Sequence, residues 1–185
     1  MDFKKRIREA DVHDIFSIVV ERMTGALEFH DGMANLYGFL CLDGYRKHHE
    51  KQFCEEGETR RDFINFVCSC FNIIPKEKYH ESFSIIPDDW FKYKRQDVTP
   101  QIRKQAIEKS FQQYVEWESE SKEIYEHCSK RLFELGCMNG FNEVLKISSC
   151  VCEELRNVEK MHLALKSVSF DSQYIQDEQK KFYKE

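Results

Sequence analysis

Proline and glycine are scarce in this sequence, which has 3 prolines and 7 glycines among its 185 residues. The prolines stand at positions 75, 87 and 100, so the residue that most strongly breaks helices is confined to one central stretch. No apolar run approaches the ~20 residues that a helix needs to cross a bilayer, and the first residues contain no apolar signal-peptide core. We therefore expect a helical, cytoplasmic protein with no membrane partner.

Positively charged residues are also fewer than negatively charged ones. The sequence has 28 lysines and arginines against 33 aspartates and glutamates, for a net charge of -5. A nucleic-acid-binding domain normally carries a basic surface that attracts phosphates, so we expect no nucleic-acid partner. The 8 cysteines are expected to stay reduced in a cytoplasmic helical chain, where they behave as small apolar side chains.

Apolar residues at helical spacing define four long segments, with a short fifth helix at the C-terminal end. The long segments are at about 11–41, 43–72, 100–135 and 139–168, and the short one is at about 172–183. Thr99-Pro100 is a start signal, because threonine caps free N–H groups and proline is tolerated at the first helical position. The breaks inside the first and second pairs of long helices are short, so each pair is predicted to be an antiparallel hairpin.

Residues 73–99 are long enough to run back along such a bundle. Their apolar and aromatic residues would pack against its outside, and these are Tyr79, Phe83, Ile85, Ile86, Trp90, Phe91 and Tyr93. Two hairpins joined by a long crossover are therefore predicted, giving an all-α four-helix bundle in a single domain over residues 1–185.

Charged and polar residues interrupt the apolar stripe of each long helix. They are His30, Glu56, Glu118 and Glu154, one from each helix. A carboxylate buried alone is costly, so the three glutamates need a metal ion, another cation or a protonated neighbour. Counting residues from the two turns places all four near the middle of the bundle, where they can converge. Glu21 and Glu28 fall on the opposite side of the first helix and are expected in solvent.

Such a set of oxygen ligands with one imidazole suits iron or manganese and is tolerated by zinc. His49 and His162 also lie on apolar stripes, about two turns from this level and toward one end of the bundle. They are second choices as metal ligands, and the alternative is that each is a core histidine hydrogen-bonded to a neighbour.

Several short motifs resemble bacterial ferritins. Those similar to the first ferritin hairpin are Ala34-Asn35-Leu36-Tyr37, Leu42-Asp43-Gly44-Tyr45 and Phe53-Cys54-Glu55-Glu56. The stretch from Tyr114 to Leu165 is similar to the second hairpin, including Glu153-Glu154 and its spacing from Glu118. The resemblance implies a divergent ferritin-like bundle that forms a homo-oligomer and has a di-iron centre for ferroxidase or related metal-dependent oxidation. By position, Glu56 would be the bridging carboxylate, and Glu118 and Glu154 the ligands from the third and fourth helices.

The sequence departs from the ferritin pattern at two ligand positions. The family has a glutamate seven residues before a tyrosine in the first helix, and this sequence has His30 before Tyr37. In the second helix the family has Glu-x-x-His, and this sequence has Glu56-Gly-Glu-Thr59. The alternative interpretation is therefore a metal-free polar network of the same four residues with Arg60. A bundle of that kind would serve as a structural or protein-interaction module.

Overall fold

The computed structural model describes residues 3–76 and 94–183, and every regular element in these ranges is helical. The α-helices are α1 (Phe3–Glu9), α2 (Val12–Phe39), α3 (Asp43–Phe71), α4 (Pro100–Glu134), α5 (Met138–Ser167) and α6 (Ser172–Glu178). Short 3-10 helices cover Arg95–Asp97 and Gln179–Tyr183. The predicted all-α class is confirmed, and the four long helices lie close to their predicted bounds. Within the described ranges, no helix has the length and apolar character required to cross a membrane.

Local signals fix the ends of the long helices. The Asp11 side chain caps α2 by accepting a hydrogen bond of 2.8 Å from the backbone N–H of Asp14, and Thr99 caps α4 in the same way. Asn72, with a φ of 53°, ends α3, and Gly136, with a φ of 73°, lies in the turn between α4 and α5. Both adopt the left-handed conformation that commonly stops a helix, so the breaks fall where the sequence predicts them.

The order of contacts along the helices establishes the connectivity. Arg22 on α2 contacts Ser121 on α4, whereas Tyr37, further along α2, contacts Ser110, which comes earlier on α4. These two helices are therefore antiparallel. Because the short turn also makes α2 antiparallel to α3, α3 and α4 are parallel, and the segment joining them starts and finishes at opposite ends of the bundle. This confirms the connectivity of a ferritin-like bundle. The predicted packing of the crossover residues from Tyr79 to Tyr93 lies outside the described residues.

Two clusters of buried apolar side chains fill the two halves of the bundle. One half is built around Phe29, Tyr37, Tyr45, Phe111 and Tyr114, and the other around Phe16, Val20, Phe63, Tyr125 and Leu132. The predicted stripes of α2 and α4 are buried almost throughout. On α3, the apolar periodicity of the sequence also includes Phe53, but this residue is 42% exposed. It lies about 80° around the helix from the buried Tyr45 and hence at the edge of the apolar stripe.

The short helix α1 was not predicted, and it changes the surroundings of Glu21. Arg6 of α1 forms an ion pair of 2.5 Å with the Glu21 carboxylate, which is covered and only 5% exposed. The expectation of a solvated Glu21 is therefore wrong, since the outer face of α2 carries a further helix. Glu28 is half-buried as well, and within the described residues its enclosed Oε2 accepts no hydrogen bond.

Candidate metal centre

Three glutamates from three helices interact electrostatically inside the bundle. Glu118, midway along α4, is 5% exposed, while Glu56 on α3 and Glu154 on α5 are half-buried. Burial, and then the charges of Glu154 and Glu55, raise the pKa of Glu56 to about 7. Burial, followed by the charges of Glu154 and Glu56, raises the pKa of Glu118 well above its usual value. The three carboxylates are thus close enough to repel one another.

These three acids have little compensation from positive charge. Among the residues that the structure describes, the carboxylate of Glu118 takes part in no hydrogen bond and no ion pair. Arg22 lowers the pKa of Glu118, but its effect is smaller than those of burial and of the two other acids. The Arg22 guanidinium is directed to other groups, since it donates to Ser121 Oγ at 2.9 Å, the Trp117 carbonyl at 2.8 Å and Glu120 at 2.9 Å. A buried acid in this state holds a proton or takes up a cation.

Glu154 has polar partners on two neighbouring helices. The hydroxyl of Tyr114 donates a hydrogen bond of 2.5 Å to Glu154 Oε1. His48 Nε2 lies 3.8 Å from the same oxygen and 3.4 Å from the Tyr114 hydroxyl. Burial and then the charges of Glu154 and Glu118 raise the pKa of Tyr114 well above its usual value, so the phenol keeps its proton and acts as a donor.

Sequence reasoning missed His48. It precedes His49, which was placed on the apolar stripe, and a step of 100° around the helix puts His48 at the edge of that stripe. The pair of adjacent histidines is the signal that could have identified it. Two consecutive histidines point about 100° apart on a helix. Both rings can therefore reach the interior when one side of the helix is buried.

His30 and His49 form a pair of their own. Their Nδ1 atoms are 2.9 Å apart, and the two residues are 1% and 2% exposed. Burial and then the nearby histidines lower the pKa of His49 well below its usual value, and burial followed by His48 lowers that of His30 to about 3. Both rings are therefore neutral near pH 7. His49 matches the core histidine that the sequence offered as an alternative, with His30 as its partner.

Other polar residues considered from the sequence make contacts with different groups. His162 is half-buried near the end of α5, with its ring 6.1 Å from that of Phe170. The exposed hydroxyl of Thr59 donates to the backbone of its own helix, and Arg60 Nε donates to Thr24 Oγ1 at 3.0 Å. The position at which ferritins have a histidine therefore contributes no ligand atom to the acid layer.

The tightest group of possible ligand atoms is elsewhere. Within residues 3–76 and 94–183, Asp11, His13 and Asp14 form a group whose possible ligand atoms all lie within 4.8 Å of one another. The criterion is three or more His, Cys, Asp or Glu residues, each offering one ligand atom. This group is at the surface, where Asp11 caps α2 and His13 Nε2 lies 3.1 Å from the Ile74 carbonyl oxygen. The four ligands predicted from the sequence do not form a group as tight as this.

The helices and their connectivity define a ferritin-like four-helix bundle. Two solved chains of an open-pore ferritin from the hyperthermophilic archaeon Archaeoglobus fulgidus have similar structures. One aligns with a TM-score of 0.75 over 92% of this chain and 94% of its own, at 13% identity. The other has a TM-score of 0.71 over 94% and 98%, at 14% identity. Similarity at this level of identity establishes the fold and not the activity. No protein-family model and no curated protein matches the sequence.

Proposed function

We propose that this chain, as a single ferritin-like domain, binds iron through Glu56, Glu118 and Glu154 and supports iron(II) oxidation of the ferroxidase kind or a related metal-dependent oxidation. One observation carries the proposal. Three carboxylates from three helices repel one another electrostatically, and the most buried of them has no hydrogen bond or ion pair with another described residue. A divalent cation would relieve both the repulsion and the cost of burial.

The donor set fits such an ion. Carboxylates supplemented by an imidazole suit iron and manganese and are tolerated by zinc, and bundles of this kind build metal sites from core side chains on facing helices. Iron is the first choice because of the ferritin-like fold. When bound, iron would supply electrons to dioxygen or peroxide. The chain's own residues would hold the ion, and the surrounding aromatic cluster of Phe29 and Tyr114 would limit access of water.

Metal analysis with matched variants tests this proposal. The full chain is purified without chelators, reconstituted anaerobically with iron(II), desalted and analysed for bound iron. Glu56→Gln and Glu118→Gln keep the side-chain size and remove the charge, so both should lose the iron. Glu116→Gln is the control, because Glu116 lies exposed on the same helix as Glu118 and accepts a hydrogen bond from Gln112.

Absence of bound iron, manganese and zinc after reconstitution contradicts the proposal and supports a metal-free structural or interaction module. Iron that binds equally well in the Glu118→Gln and Glu116→Gln variants contradicts the assignment of the acids. If iron binds as expected, exposing the loaded chain to dioxygen and following iron(III) absorbance separates oxidation from binding.

The same proposal includes a homo-oligomer. The outer surface of α5 supports this, because Leu145 and Leu163 are 43% and 69% exposed. Sedimentation velocity of the full chain is the test, and a single monomeric species across concentrations would contradict it.

A further inference from the structure

We propose that His48 supplies the nitrogen ligand of this metal centre, binding through Nε2 beside Glu154, and that Tyr114 positions the Glu154 carboxylate. This inference rests on the proposed function, since it names a ligand of the same centre. His48 was not among the ligands predicted from the sequence, and the assignment comes from the contacts between α3, α4 and α5.

The separation of the ligand atoms fits one shared ion. His48 Nε2 and Glu154 Oε1 are 3.8 Å apart, which is too long for a hydrogen bond. Metal–ligand bonds of ~2.1 Å place two ligands of one ion about 3–4 Å apart. The Tyr114 hydroxyl is 3.4 Å from the first atom and 2.5 Å from the second. The three atoms thus form a small triangle, in which the phenol fixes the carboxylate oxygen that faces the imidazole.

His30, the nitrogen ligand predicted from the sequence, is less suited to this role. Its Nδ1 faces His49 Nδ1 at 2.9 Å, so ligation through that atom would break the buried pair. Its ring is also enclosed by aromatic neighbours, with centroids 5.4 Å from Phe29, 5.2 Å from His49 and 5.6 Å from Tyr114.

Accessibility favours His48 as well. The side chains of His48 and Glu154 are 11% and 24% exposed, whereas His30 is 1% exposed. His48 and Glu154 therefore keep some contact with solvent, whereas His30 has almost none. Glu154 also interacts electrostatically with Glu56 and Glu118, so it can connect the imidazole to the other two carboxylates.

Manganese(II) is the probe for the test, because it accepts both carboxylate and imidazole ligands and its pulsed EPR signal detects directly bonded nitrogen. The full chain is loaded with manganese(II), and echo modulation from nitrogen is recorded. We expect modulation in the wild-type chain, loss of it in His48→Gln and in His48→Asn, and retention in His30→Gln. Affinity for manganese(II) should fall at least about ten-fold in the His48 variants. It should stay close to the wild-type value in His30→Gln.

Further variants identify the source of the signal. His13→Gln removes the imidazole of the surface group at the start of α2 and should leave the modulation unchanged. Tyr114→Phe should retain the modulation with weaker binding, because the nitrogen stays in place while Glu154 loses its hydrogen-bond donor. Circular dichroism and thermal unfolding establish that each variant is folded, and the two different replacements of His48 guard against a single variant that fails to fold.

Three outcomes overturn the assignment. Modulation that persists in both His48 variants and disappears in His30→Gln makes His30 the ligand. A signal that disappears in His13→Gln comes from the surface group. In the third outcome, manganese(II) binds to the wild-type chain and is lost on substitution of Glu118, but no nitrogen modulation is seen. The site then consists of oxygen ligands. This result excludes His48 as a ligand and is consistent with the proposed function. Failure of both manganese(II) and iron(II) to bind overturns the proposed function itself.

Discussion

Tyr114 on α4 donates a hydrogen bond of 2.5 Å to Glu154 on α5. The two residues belong to the same hairpin, and the bond ties an aromatic side chain of the core to an acid of the candidate metal centre. Because the phenol is buried and keeps its proton, it holds one oxygen of Glu154 toward His48. The orientation of this carboxylate is therefore set by the protein before any ion binds.

Removing the Tyr114 hydroxyl should weaken both folding and metal binding. Tyr114→Phe deletes a hydrogen bond to a carboxylate, which costs about 1–3 kcal/mol of unfolding free energy. Thermal unfolding measures this loss. Tyr37→Phe is the matched control, since the Tyr37 hydroxyl pairs with Ser110 at 2.8 Å and contacts no acid of the centre. It should lower the melting temperature and leave manganese(II) affinity unchanged, whereas equal affinity losses in both variants would contradict the role of Tyr114.

The stability of the metal-free chain should fall as pH rises above about 6.5, the ordinary pKa of an unfolded histidine. The pKa of Glu118 is raised in the folded state, so from about pH 4.5 upward the unfolded chain releases this proton while the folded chain retains it. Below about pH 6.5 the lowered pKa values of His30 and His49 act in the opposite direction, because the unfolded histidines take up protons that the folded ones do not. Glu56 adds to the loss until the pH passes its folded pKa of about 7. Urea unfolding between about pH 6.5 and pH 8 measures the slope of unfolding free energy against pH.

Glu118→Gln should flatten that slope, because the amide cannot ionise, and Glu116→Gln should not. Saturating manganese(II) should oppose the decline in the wild-type chain by binding the folded state. A stability that rises steadily from about pH 6.5 to pH 8 without metal, and is unaffected by Glu118→Gln, would mean that Glu118 is not held at a raised pKa.

Two glycines should respond in opposite directions to replacement by alanine. Gly57 lies in the middle of α3, and an added Cβ would meet only Leu27 Cδ2, at an ordinary contact distance of 3.8 Å. Gly57→Ala should therefore raise the unfolding free energy by roughly 0.5–1 kcal/mol, the helix-propensity difference.

At Gly25 on α2, an added Cβ would lie 2.9 Å from the indole of Trp117. That indole cannot move aside easily, because the Arg22 guanidinium lies 3.5 Å from its ring centroid and Phe29 stacks on it. Gly25→Ala should lower the unfolding free energy by about 1–3 kcal/mol through overpacking. Urea unfolding of the two variants side by side provides the comparison, and equal shifts of the same sign would contradict the packing described around Trp117.

The helices could be predicted from the sequence because breaking signals are few and well placed. Thr99-Pro100 and the glycine at 136 mark ends that the structure reproduces. A common level for the acids is predicted by counting residues along hairpins, since the rise per residue is fixed. Periodicity gives the face and height of a residue but not the reach of its side chain. That is why His48 was overlooked and why the pairing of His30 with His49 was not foreseen. The burial of Glu21 depends on where α1 docks, and a helix that short leaves little periodic signal.

The C-terminal 3-10 helix should control access of ions to His48. The ring of Phe182 lies 4.8 Å from that of His48 and 5.8 Å from that of Tyr45. The segment is anchored to the start of α3, where the N–H of Gly44 donates to Gln179 Oε1 at 3.1 Å. Phe182 therefore covers one side of the imidazole that we assign to the metal centre.

Phe182→Ala should uncover His48 and accelerate manganese(II) binding, at a cost of about 1–2 kcal/mol of unfolding free energy from lost apolar burial. Stopped-flow mixing measures the association rate, and diethyl pyrocarbonate labelling with mass spectrometry measures the accessibility of His48 directly. Tyr183→Ala is the matched control, because Tyr183 is the next residue and is already 45% exposed. Labelling of His48 should increase in the first variant and not in the second. If labelling and association rate are the same in both variants and in the wild-type chain, ions reach the acids by another path, and the C-terminal segment only stabilises the end of the bundle.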